Sequence, residues 1–281
     1  EGALRILFLG TGAADWPRTY EATLEQATSG AVRGTSAVLV NENVLIDCGP
    51  TVPDALALFG VDVSRITDML ITHTHGDHLD AEAMSRLLAA RGQAEPLRIR
   101  VESASLARLQ ELELEGVEIH VLEPGQIFEV QGLTVTALAA NHVVDAPQQP
   151  LHYLLESQGR RVMYATDGAW LLKQTWLALR EQPLDGLIWD ATNGETEGDW
   201  RIFEHNSVDM IRLMMQTLRR EEIVTDQTRV WLTHMARTLC APHQQMSERL
   251  RPEGLVPAHD GLVVDWPEEG QGASFTDHAN A

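Results

Sequence analysis

The sequence predicts a mixed α/β protein in which two sheets pack face to face with helices outside. Short β-rich runs alternate with helical patterns along the chain, and a first half in this style is followed by a similar second half. Of the 281 residues, 44% are hydrophobic, which is enough to build a large packed core. Because no Pro/Gly/Ser-rich linker interrupts the pattern, we expect a single domain over residues 1–267 and a polar tail over residues 268–281.

The first half is expected to supply one sheet. Its predicted strands cover residues 4–9, 36–40, 44–47, 66–72, 97–101 and 117–122. Helices are predicted after Thr51, Asp80 and Ser103, each of which is a residue type that caps helix N-termini. Residues 13–34 show no regular pattern, and a stretch of this length indicates a functional loop.

The second half is expected to supply the other sheet. Its predicted strands cover residues 127–130, 133–139, 151–156, 162–166, 186–190, 229–233 and 262–264. Helices are predicted from about residue 170, over 208–220 and over 242–250.

Charge and cysteine content limit the partners. The formal net charge is −20, and no basic run is longer than the Arg160-Arg161 and Arg219-Arg220 pairs. This argues against generic nucleic-acid binding and against binding to an anionic membrane, and no apolar stretch is long enough to span a bilayer. With Cys48 and Cys240 alone, neither a disulfide framework nor a Cys-rich zinc site can form, so we expect a cytoplasmic protein. A homodimer is the default assembly.

The most informative segment follows a buried strand directly and runs into a helix start. Its sequence, Thr72-His73-Thr74-His75-Gly76-Asp77-His78, places three imidazoles and a carboxylate in one short loop. Alternate side chains of an extended chain point the same way, so His73 and His75 can share a metal. The turn toward the helix then carries Asp77 and His78 to a neighbouring position. Imidazole and carboxylate ligands indicate an open, water-bearing zinc, manganese or iron site.

Three further strands end on a ligand-type residue. Asn141-His142, Thr166-Asp167 and Thr233-His234 each follow a β-run, as the histidine loop does. Ligands delivered from strand ends onto one rim of a sheet are a rigid way to hold a metal pair.

With this ligand series, the chain resembles the metallo-β-lactamase superfamily over nearly its whole length. The resemblance implies a four-layer αββα sandwich and two divalent metal ions at one edge of the sheets, zinc in the first place and manganese or iron as alternatives. It implies that His73, His75 and His142 hold the first ion. Asp77, His78 and His234 would hold the second, and Asp167 would bridge both. Asp47, at the end of the predicted strand 44–47, would orient the ligand loop.

Within the superfamily, the chain is most similar to PhnP-type phosphodiesterases and their tRNase Z relatives. The similarity rests on Leu9-Gly10-Thr11-Gly12, the strand ending at Asp190 with His205 in the loop after it, and Asp260-Gly261-Leu262. The chain lacks the Cys-rich zinc stretch common in PhnP-like proteins and the long tRNase Z insertion. The resemblance implies a hydrolase that cleaves a small cyclic or nucleotide-like phosphodiester through a metal-bridging hydroxide, with Asp77 and His205 as catalytic residues. His205 would donate a proton to the leaving oxygen or contact the phosphate.

Two other functions stay open at this stage. The same nucleophile attacks carbonyl carbon, so a lactone or thioester hydrolase is an alternative, and a non-catalytic binding or carrier protein resembling those of PQQ biosynthesis is another. Arg18, Arg33 and Arg201 are candidate phosphate contacts on long loops. Cys48 and Cys240 are interpreted as buried structural thiols. His259 is within reach of the pocket in one reading, but a role in a turn is favoured. The other histidines are interpreted as non-ligands; these are His120, His152, His243 and His278.

Overall fold

The computed structural model describes residues 3–92 and 95–268, in which two seven-stranded sheets pack face to face. The first sheet draws its strands from the first half of the chain and one strand from the C-terminal end. They are β1 (Leu4–Gly10), β2 (Ala37–Val40), β3 (Val44–Ile46), β4 (Asp68–Leu70), β5 (Leu97–Glu102), β6 (Val117–Leu122) and β14 (Val263–Trp266). Their order is β14-β1-β2-β3-β4-β5-β6. Pairing is antiparallel from β14 to β3 and parallel from β3 to β6.

The second sheet is built from the second half of the chain and mirrors this pattern. Its strands are β7 (Ile127–Val130), β8 (Leu133–Ala139), β9 (Leu151–Ser157), β10 (Arg160–Ala165), β11 (Gly186–Asp190), β12 (Arg229–Thr233) and β13 (Leu255–Pro257). They lie in the order β13-β12-β11-β10-β9-β8-β7. Pairing is antiparallel from β7 to β10 and parallel from β10 to β13. Strands β8, β10, β11 and β12 therefore run in one direction and end at the same edge.

Helices cover the outer faces of both sheets. They are α1 (Leu24–Thr28), α2 (Val52–Leu58), α3 (Ala81–Arg91), α4 (Leu106–Gln110), α5 (Lys173–Leu179), α6 (Val208–Arg220) and α7 (His243–Leu250). No helix in the described part of the chain is long and apolar enough to cross a membrane.

Three buried clusters separate these layers. Alternation along the strands sends Ile6 and Tyr153 into the cluster between the sheets. Met69 of β4 packs with Met84 of α3 on the outer face of the first sheet, and Trp189 of β11 packs with Ile211 of α6 on that of the second. The predicted αββα sandwich is confirmed.

Several sequence predictions were wrong in detail. The long loop contains helix α1, which begins with a capping box in which Thr23 accepts from Gln26 N. Thr51 makes no capping hydrogen bond, because its hydroxyl instead accepts from Thr35 N at 2.7 Å. Glu102, and not Ser103, caps the turn before α4 by accepting from Ala104 N.

The strand predictions also needed correction at two places. The strand predicted over residues 66–72 is limited to β4, because Thr72 N donates to a side chain, Asp47 Oδ1, instead of to a neighbouring strand. The last predicted strand belongs to the first sheet, where β14 pairs with the otherwise open edge of β1. Strand β13 was not predicted. The single-domain boundary stays a prediction, and the predicted tail from residue 269 onward lies outside the described residues, as does His278.

A buried carboxylate joins the two sheets away from their ligand-bearing edge. Asp68 of β4 is 1% exposed and accepts hydrogen bonds from Arg98 and Arg100 of β5. Its Oδ2 also accepts from Gln131 Nε2, in the hairpin between β7 and β8, at 2.9 Å. Burial would raise the pKa of Asp68, but the arginine hydrogen bonds outweigh it and lower that pKa to about 2.

We expect Asp68→Ala to lower the free energy of unfolding by about 3–5 kcal/mol, because it leaves two arginines without their buried partner. Since the folded pKa lies below that of an unfolded aspartate, the contribution of Asp68 is present above pH ~4 and is lost as the pH falls toward 2. Urea unfolding at neutral and acidic pH measures both effects. Asp54→Ala, which removes an exposed pair with Arg86, is the control and should cost under ~1 kcal/mol. Equal losses in the two variants would contradict the role of Asp68.

Candidate metal centre

The seven predicted ligands meet at the edge where the carboxyl ends of the strands converge. His73, His75, Asp77 and His78 follow β4 in one loop, while His142, Asp167 and His234 follow β8, β10 and β12. A hydrogen bond from Leu151 N to Thr72 O, at 2.8 Å, joins the two sheets beside this loop. The topology thus brings together residues that are up to 161 positions apart in the chain.

Three imidazoles form the first group. His73 Nε2 lies 3.1 Å from His75 Nδ1, and His142 Nε2 lies 3.3 Å from the same atom. Zinc–nitrogen bonds of about 2.0–2.1 Å in tetrahedral geometry place ligand nitrogens about 3.3 Å apart. The spacing of this group therefore fits a single tetrahedral cation.

The second group combines two imidazoles and a carboxylate. His78 Nε2 lies 3.3 Å from His234 Nε2 and 3.3 Å from Asp77 Oδ2. The distance from His234 Nε2 to Asp77 Oδ2 is 3.6 Å. These atoms can also converge on one ion.

One oxygen of Asp167 lies between the two groups. Asp167 Oδ2 is 3.6 Å from both His73 Nε2 and His142 Nε2, on the side of the first group. It is 3.3 Å from His78 Nε2 and 3.2 Å from His234 Nε2, on the side of the second. A carboxylate in this position is suited to bridge two cations.

Hydrogen bonds on the far side of the rings of His73 and His78 set their tautomers. His78 Nδ1 donates to Asp47 Oδ2 at 2.7 Å, so Nε2 is left with a lone pair facing the second group. The Thr72 hydroxyl donates to the same carboxylate and can therefore accept from His73 Nδ1, which lies 3.0 Å away. Asp47 supports a ligand of each group in this way.

The rings of His142 and His234 are held in the same manner. His142 Nδ1 donates to the carbonyl oxygen of Glu204 at 3.1 Å. The Thr192 hydroxyl donates to Asp190 Oδ1 and accepts from His234 Nδ1, both at 2.7 Å. In the neutral form, four of the five histidines predicted as ligands therefore turn a proton-free nitrogen inward, which is the donor form that a metal requires.

The electrostatics of the centre favour bound positive charge. Burial lowers the pKa of His73 well below its usual range, so this ring is kept neutral. Burial also disfavours a charged His78, but Asp77 and Asp47 outweigh it and raise its pKa. For Asp77 the raising effect of burial is outweighed by His78 and His234, and its pKa is well below the usual range. The negative charge of these buried carboxylates, which favours a proton on the neighbouring ring, would also be neutralised by a bound metal cation.

His205 lies beside the bridging carboxylate. Its Nδ1 donates to Asp190 Oδ2 at 2.7 Å and is 2.7 Å from Asp167 Oδ1. Burial lowers the pKa of His205, but Asp167 and Asp190 outweigh it and raise that pKa to about 11. Because Nδ1 is engaged by these carboxylates, Nε2 is the atom available for chemistry.

Two positions in the centre use left-handed backbone, which ordinary side chains adopt at some cost. Asp47 has φ of +68° and His234 has φ of +55°, each immediately after a strand. Asp47 contacts Thr72 and His78 in the loop after the neighbouring strand β4, and His234 contacts His78 from the other sheet. Backbone strain of this kind is concentrated at functional sites.

Comparison with known proteins identifies the family. Residues 42–235, more than half of the chain, match the sequence profile of the beta-lactamase superfamily domain. The chain belongs to the beta-lactamase superfamily.

Relatives within the superfamily have been described as nucleases. Ribonuclease Z of Methanothermobacter thermautotrophicus is 29% identical over 150 residues, which are 50% of this chain and 45% of that protein. The chain therefore spans about half the length of the curated relatives it matches.

Solved structures show the same superfamily fold over nearly the whole chain. A structure described as a new diphosphatase from the PhnP family has a TM-score of 0.73 at 18% identity, covering 94% of this chain and 97% of that one. Zn(2+)-bound PqqB from Methylobacterium extorquens has a TM-score of 0.72 at 18% identity, covering 93% and 99%.

A cavity of about 450 Å³ lies over the two ligand groups. Arg18 and Arg201, two of the three arginines considered as phosphate contacts, line it. Arg33 does not, because it is buried elsewhere and its Nη1 donates to Thr11 Oγ1 and to the Ala258 carbonyl, both at 2.7 Å. The ligand groups found among the described residues include none of the four histidines that were predicted neither as ligands nor as catalytic residues, His120, His152, His243 and His259.

Sequence reasoning expected a supporting role for Asp47 but assigned none to Asp190, Thr192 or Glu204. The Asp190 carboxylate accepts from His205 and, at 2.9 Å, from Gly168 N next to Asp167. Asp190 ends β11 and therefore followed the same strand-end pattern as the predicted ligands. Thr192 and the Glu204 carbonyl carried no comparable signal, because their roles depend on loop geometry.

Asp47 offers a test of this support. We expect Asp47→Ala to weaken divalent-metal binding by about 10- to 100-fold, because His78 loses its acceptor and the Thr72–His73 contact loses its anchor. Titration of metal-free protein with Zn²⁺ against a competing chelator measures the change. Asp62→Ala, which alters an exposed turn cap, is the control. Wild-type affinity in Asp47→Ala would contradict the proposed support.

Proposed function

We propose that the protein is a dinuclear metal-dependent phosphodiesterase. In this proposal His73, His75 and His142 hold one ion, Asp77, His78 and His234 hold the other, and Asp167 bridges them. The observation that carries the proposal is the position of Asp167 Oδ2, 3.2–3.6 Å from ring nitrogens of both groups. A carboxylate placed between two groups of imidazole ligands can bind two cations at once and hold them as a pair.

Zinc is the first choice for the metal. Histidine and carboxylate ligands with spacing of about 3.3 Å suit tetrahedral zinc, and manganese or iron are the alternatives that the same ligand types accept. The solved structure of PqqB, described as Zn(2+)-bound, supports this choice by its shared fold.

The chemistry divides between the metal pair and the residues around it. Two bound divalent ions would lower the pKa of a water nucleophile and offset the charge of the phosphoryl group. Asp167 holds the two ligand groups in register, and Asp77 lines the cavity beside it. His205, held at Nδ1 by Asp190, directs Nε2–H as the general acid for the leaving oxygen. Arg18 and Arg201 supply further positive charge at the rim.

The substrate class proposed is a small cyclic or nucleotide-like phosphodiester. A cavity of about 450 Å³ is of the size that takes one small ligand. The relative named Ribonuclease Z indicates phosphodiester chemistry, and the neighbour described as a diphosphatase indicates chemistry at phosphorus. A net charge of −20 disfavours a polyanionic RNA here, since RNA binding depends on clustered cations. Cys48 and Cys240 are both free thiols, which fits the proposed cytoplasmic location.

Metal analysis and a substrate panel test the proposal together. Protein purified without added metal is analysed for bound elements and then assayed on bis-p-nitrophenyl phosphate, cyclic phosphodiesters, a lactone, a thioester and a tRNA precursor. We expect about two divalent ions per chain, the number that a paired-metal hydrolytic site holds, and turnover of the small phosphodiesters. Turnover of the lactone or thioester alone, or of the RNA alone, would overturn the substrate class.

A carrier protein is the second candidate, and the fold shared with PqqB is the observation that favours it. Metal-loaded protein that binds a ligand tightly but turns over no ester would support the carrier. Multiple turnover of any phosphodiester, abolished by a chelator and restored by metal, would exclude it.

A further inference from the structure

Several exposed apolar side chains lie close in sequence to residues of the candidate centre. Eight large apolar side chains stand exposed in the described part of the chain, and four of them lie within five residues of a site residue. Val143 follows His142, and Trp170 follows Asp167 by three positions. Trp200 and Phe203, which precede His205, are the most open of the four, with exposures of 64% and 77%. These two aromatic residues share a turn with Arg201, which lines the cavity, and exposed apolar surface beside a cavity marks an interaction surface.

Trp200 and Phe203 lie on one short turn that is tied to the centre. The 3₁₀ turn Trp200–Phe203 begins at Asp199, whose side chain accepts from Arg201 N at 2.9 Å. The Arg201 carbonyl accepts from His205 N at 2.7 Å. Glu204 directly follows the turn, and its carbonyl oxygen accepts a hydrogen bond from His142 Nδ1. The position of the turn is therefore coupled to a metal-ligand histidine and to the general acid.

The middle of this turn places a cation that contacts the Trp200 ring and lines the cavity. The Arg201 side chain lines the cavity, and its guanidinium carbon lies 5.8 Å from the centroid of the Trp200 ring. Its Nε lies 3.2 Å from Asp199 Oδ1, so one ion pair holds the guanidinium at the rim. Arg201 Nη1 also donates to Thr238 Oγ1 at 3.5 Å, but the five N–H donors of an arginine exceed what these two acceptors take up.

We propose that the turn Trp200–Phe203 is the substrate-selecting element, in which Trp200 and Phe203 stack on the base of a nucleotide phosphodiester while Arg201 contacts its phosphoryl oxygen. This inference rests on the proposed function and narrows its substrate class to molecules that carry a base. Aromatic side chains stack on any planar base, whatever its identity. In a nucleotide, one sugar separates the base from the phosphate, so the two groups lie close together. That arrangement matches an aromatic turn immediately beside a phosphate-binding cavity.

Other occupants fit this surface less well. An anionic membrane would be repelled by a protein with a net charge of −20, and a long RNA would meet the same charge. A second copy of the chain would carry the same net charge to the contact. A single nucleotide adds few negative charges, and these are directed at Arg201 and the metal centre.

The test compares substrates that differ only in the base. Wild type, Trp200→Ala/Phe203→Ala and Arg201→Ala are assayed on a cyclic nucleotide and on a cyclic phosphodiester of ribose that lacks the base. Wild type should prefer the cyclic nucleotide. The aromatic double variant should lose about 10- to 100-fold in kcat/KM on it, through KM, and stay within about twofold on the base-free substrate. Arg201→Ala should lower kcat/KM on both substrates.

A matched double variant controls for loss of exposed apolar surface. Leu24→Ala/Ile127→Ala removes two side chains of 54% and 65% exposure that do not line the cavity over the centre, and it should leave both activities unchanged. Equal losses of the aromatic variant on both substrates, or no loss on either, would overturn the inference. A fall in oligomeric mass of the aromatic variant in light scattering would also overturn it, since the surface would then join two copies.

The inference and the proposed function fail separately. If wild type turns over no phosphodiester, the proposed function is wrong, and calorimetry with a nucleoside monophosphate then decides the inference. Binding by wild type that is lost in Trp200→Ala/Phe203→Ala supports base recognition. Equal binding by both proteins, or binding by neither, rejects it.

Discussion

Asp167→Ala is expected to abolish turnover and to reduce bound metal from both positions. The carboxylate oxygen is the only ligand atom that lies within 3.6 Å of ring nitrogens from both groups among the described contacts. Its loss removes a ligand from each ion and also one of two carboxylates beside His205 Nδ1. The loss of metal affinity should exceed the roughly 10- to 100-fold that losing an outer supporting residue costs. Elemental analysis after gel filtration and assays with bis-p-nitrophenyl phosphate measure the two effects.

Asp226→Ala removes an exposed carboxylate and serves as the matched control for this variant. It should keep wild-type metal content and activity. Asp167→Ala must also keep a folded circular-dichroism spectrum, because the core clusters do not include residue 167. A folded Asp167→Ala protein with two bound ions would show that the centre is held without a bridge, and the proposed arrangement would then be wrong.

The fold could be predicted from the sequence because its signal is local and repeated. Short segments of four to six residues that are rich in apolar side chains form the strands β6, β7 and β11, and the bounds of these strands agree with the prediction. Strand β14 could not be assigned to its sheet, because its partner β1 lies at the other end of the chain. Alternation predicts that a strand has a buried face but does not identify the strand beside it.

The convergence of the ligands could be anticipated for a related reason. Parallel strands that end on His or Asp deliver those residues to one edge, so a strand-end pattern is informative about distance in space. Thr192 and Glu204, which hold the rings of His234 and His142, follow no such rule. Thr192 reaches His234 Nδ1 only because the chain folds back beyond β11, and Glu204 contributes its carbonyl, which every residue type possesses. The identity of residue 204 therefore could not predict that its carbonyl holds the His142 ring.

The net negative charge of the protein and the positive charge in the cavity act on an anionic substrate in opposite directions. A protein with a net charge of −20 repels anionic substrates at long range, and salt screens that repulsion beyond about 8–10 Å. Recognition of a phosphodiester must then come from charge concentrated in the cavity, where Arg18, Arg201 and the ions would lie. In the proposed function, this charge distribution would favour small substrates, because a longer polyanion would meet more of the repelling surface.

His205→Ala is expected to retain both ions and to slow turnover by about 10²- to 10⁴-fold, the range typical of general acid–base catalysis. His205 touches the bridging Asp167 through Oδ1, whereas the ring nitrogens of the ligand groups surround Oδ2. Removal of the ring therefore takes away a proton donor without removing a proposed ligand. The loss should fall on kcat for substrates whose leaving oxygen needs a proton.

Leaving-group dependence separates this role from a structural one. A p-nitrophenolate departs without a proton, so His205→Ala should be much less impaired on bis-p-nitrophenyl phosphate than on a cyclic phosphodiester with an alkoxide leaving group. His120→Ala, which removes a half-exposed histidine paired with Glu118, should leave both rates unchanged. If His205→Ala slows both substrates equally while binding two ions, the ring acts by positioning Asp167 and Asp190 and not as the acid. The ratio of the two rate losses thus decides which nitrogen matters, because positioning is done through Nδ1 and proton donation through Nε2.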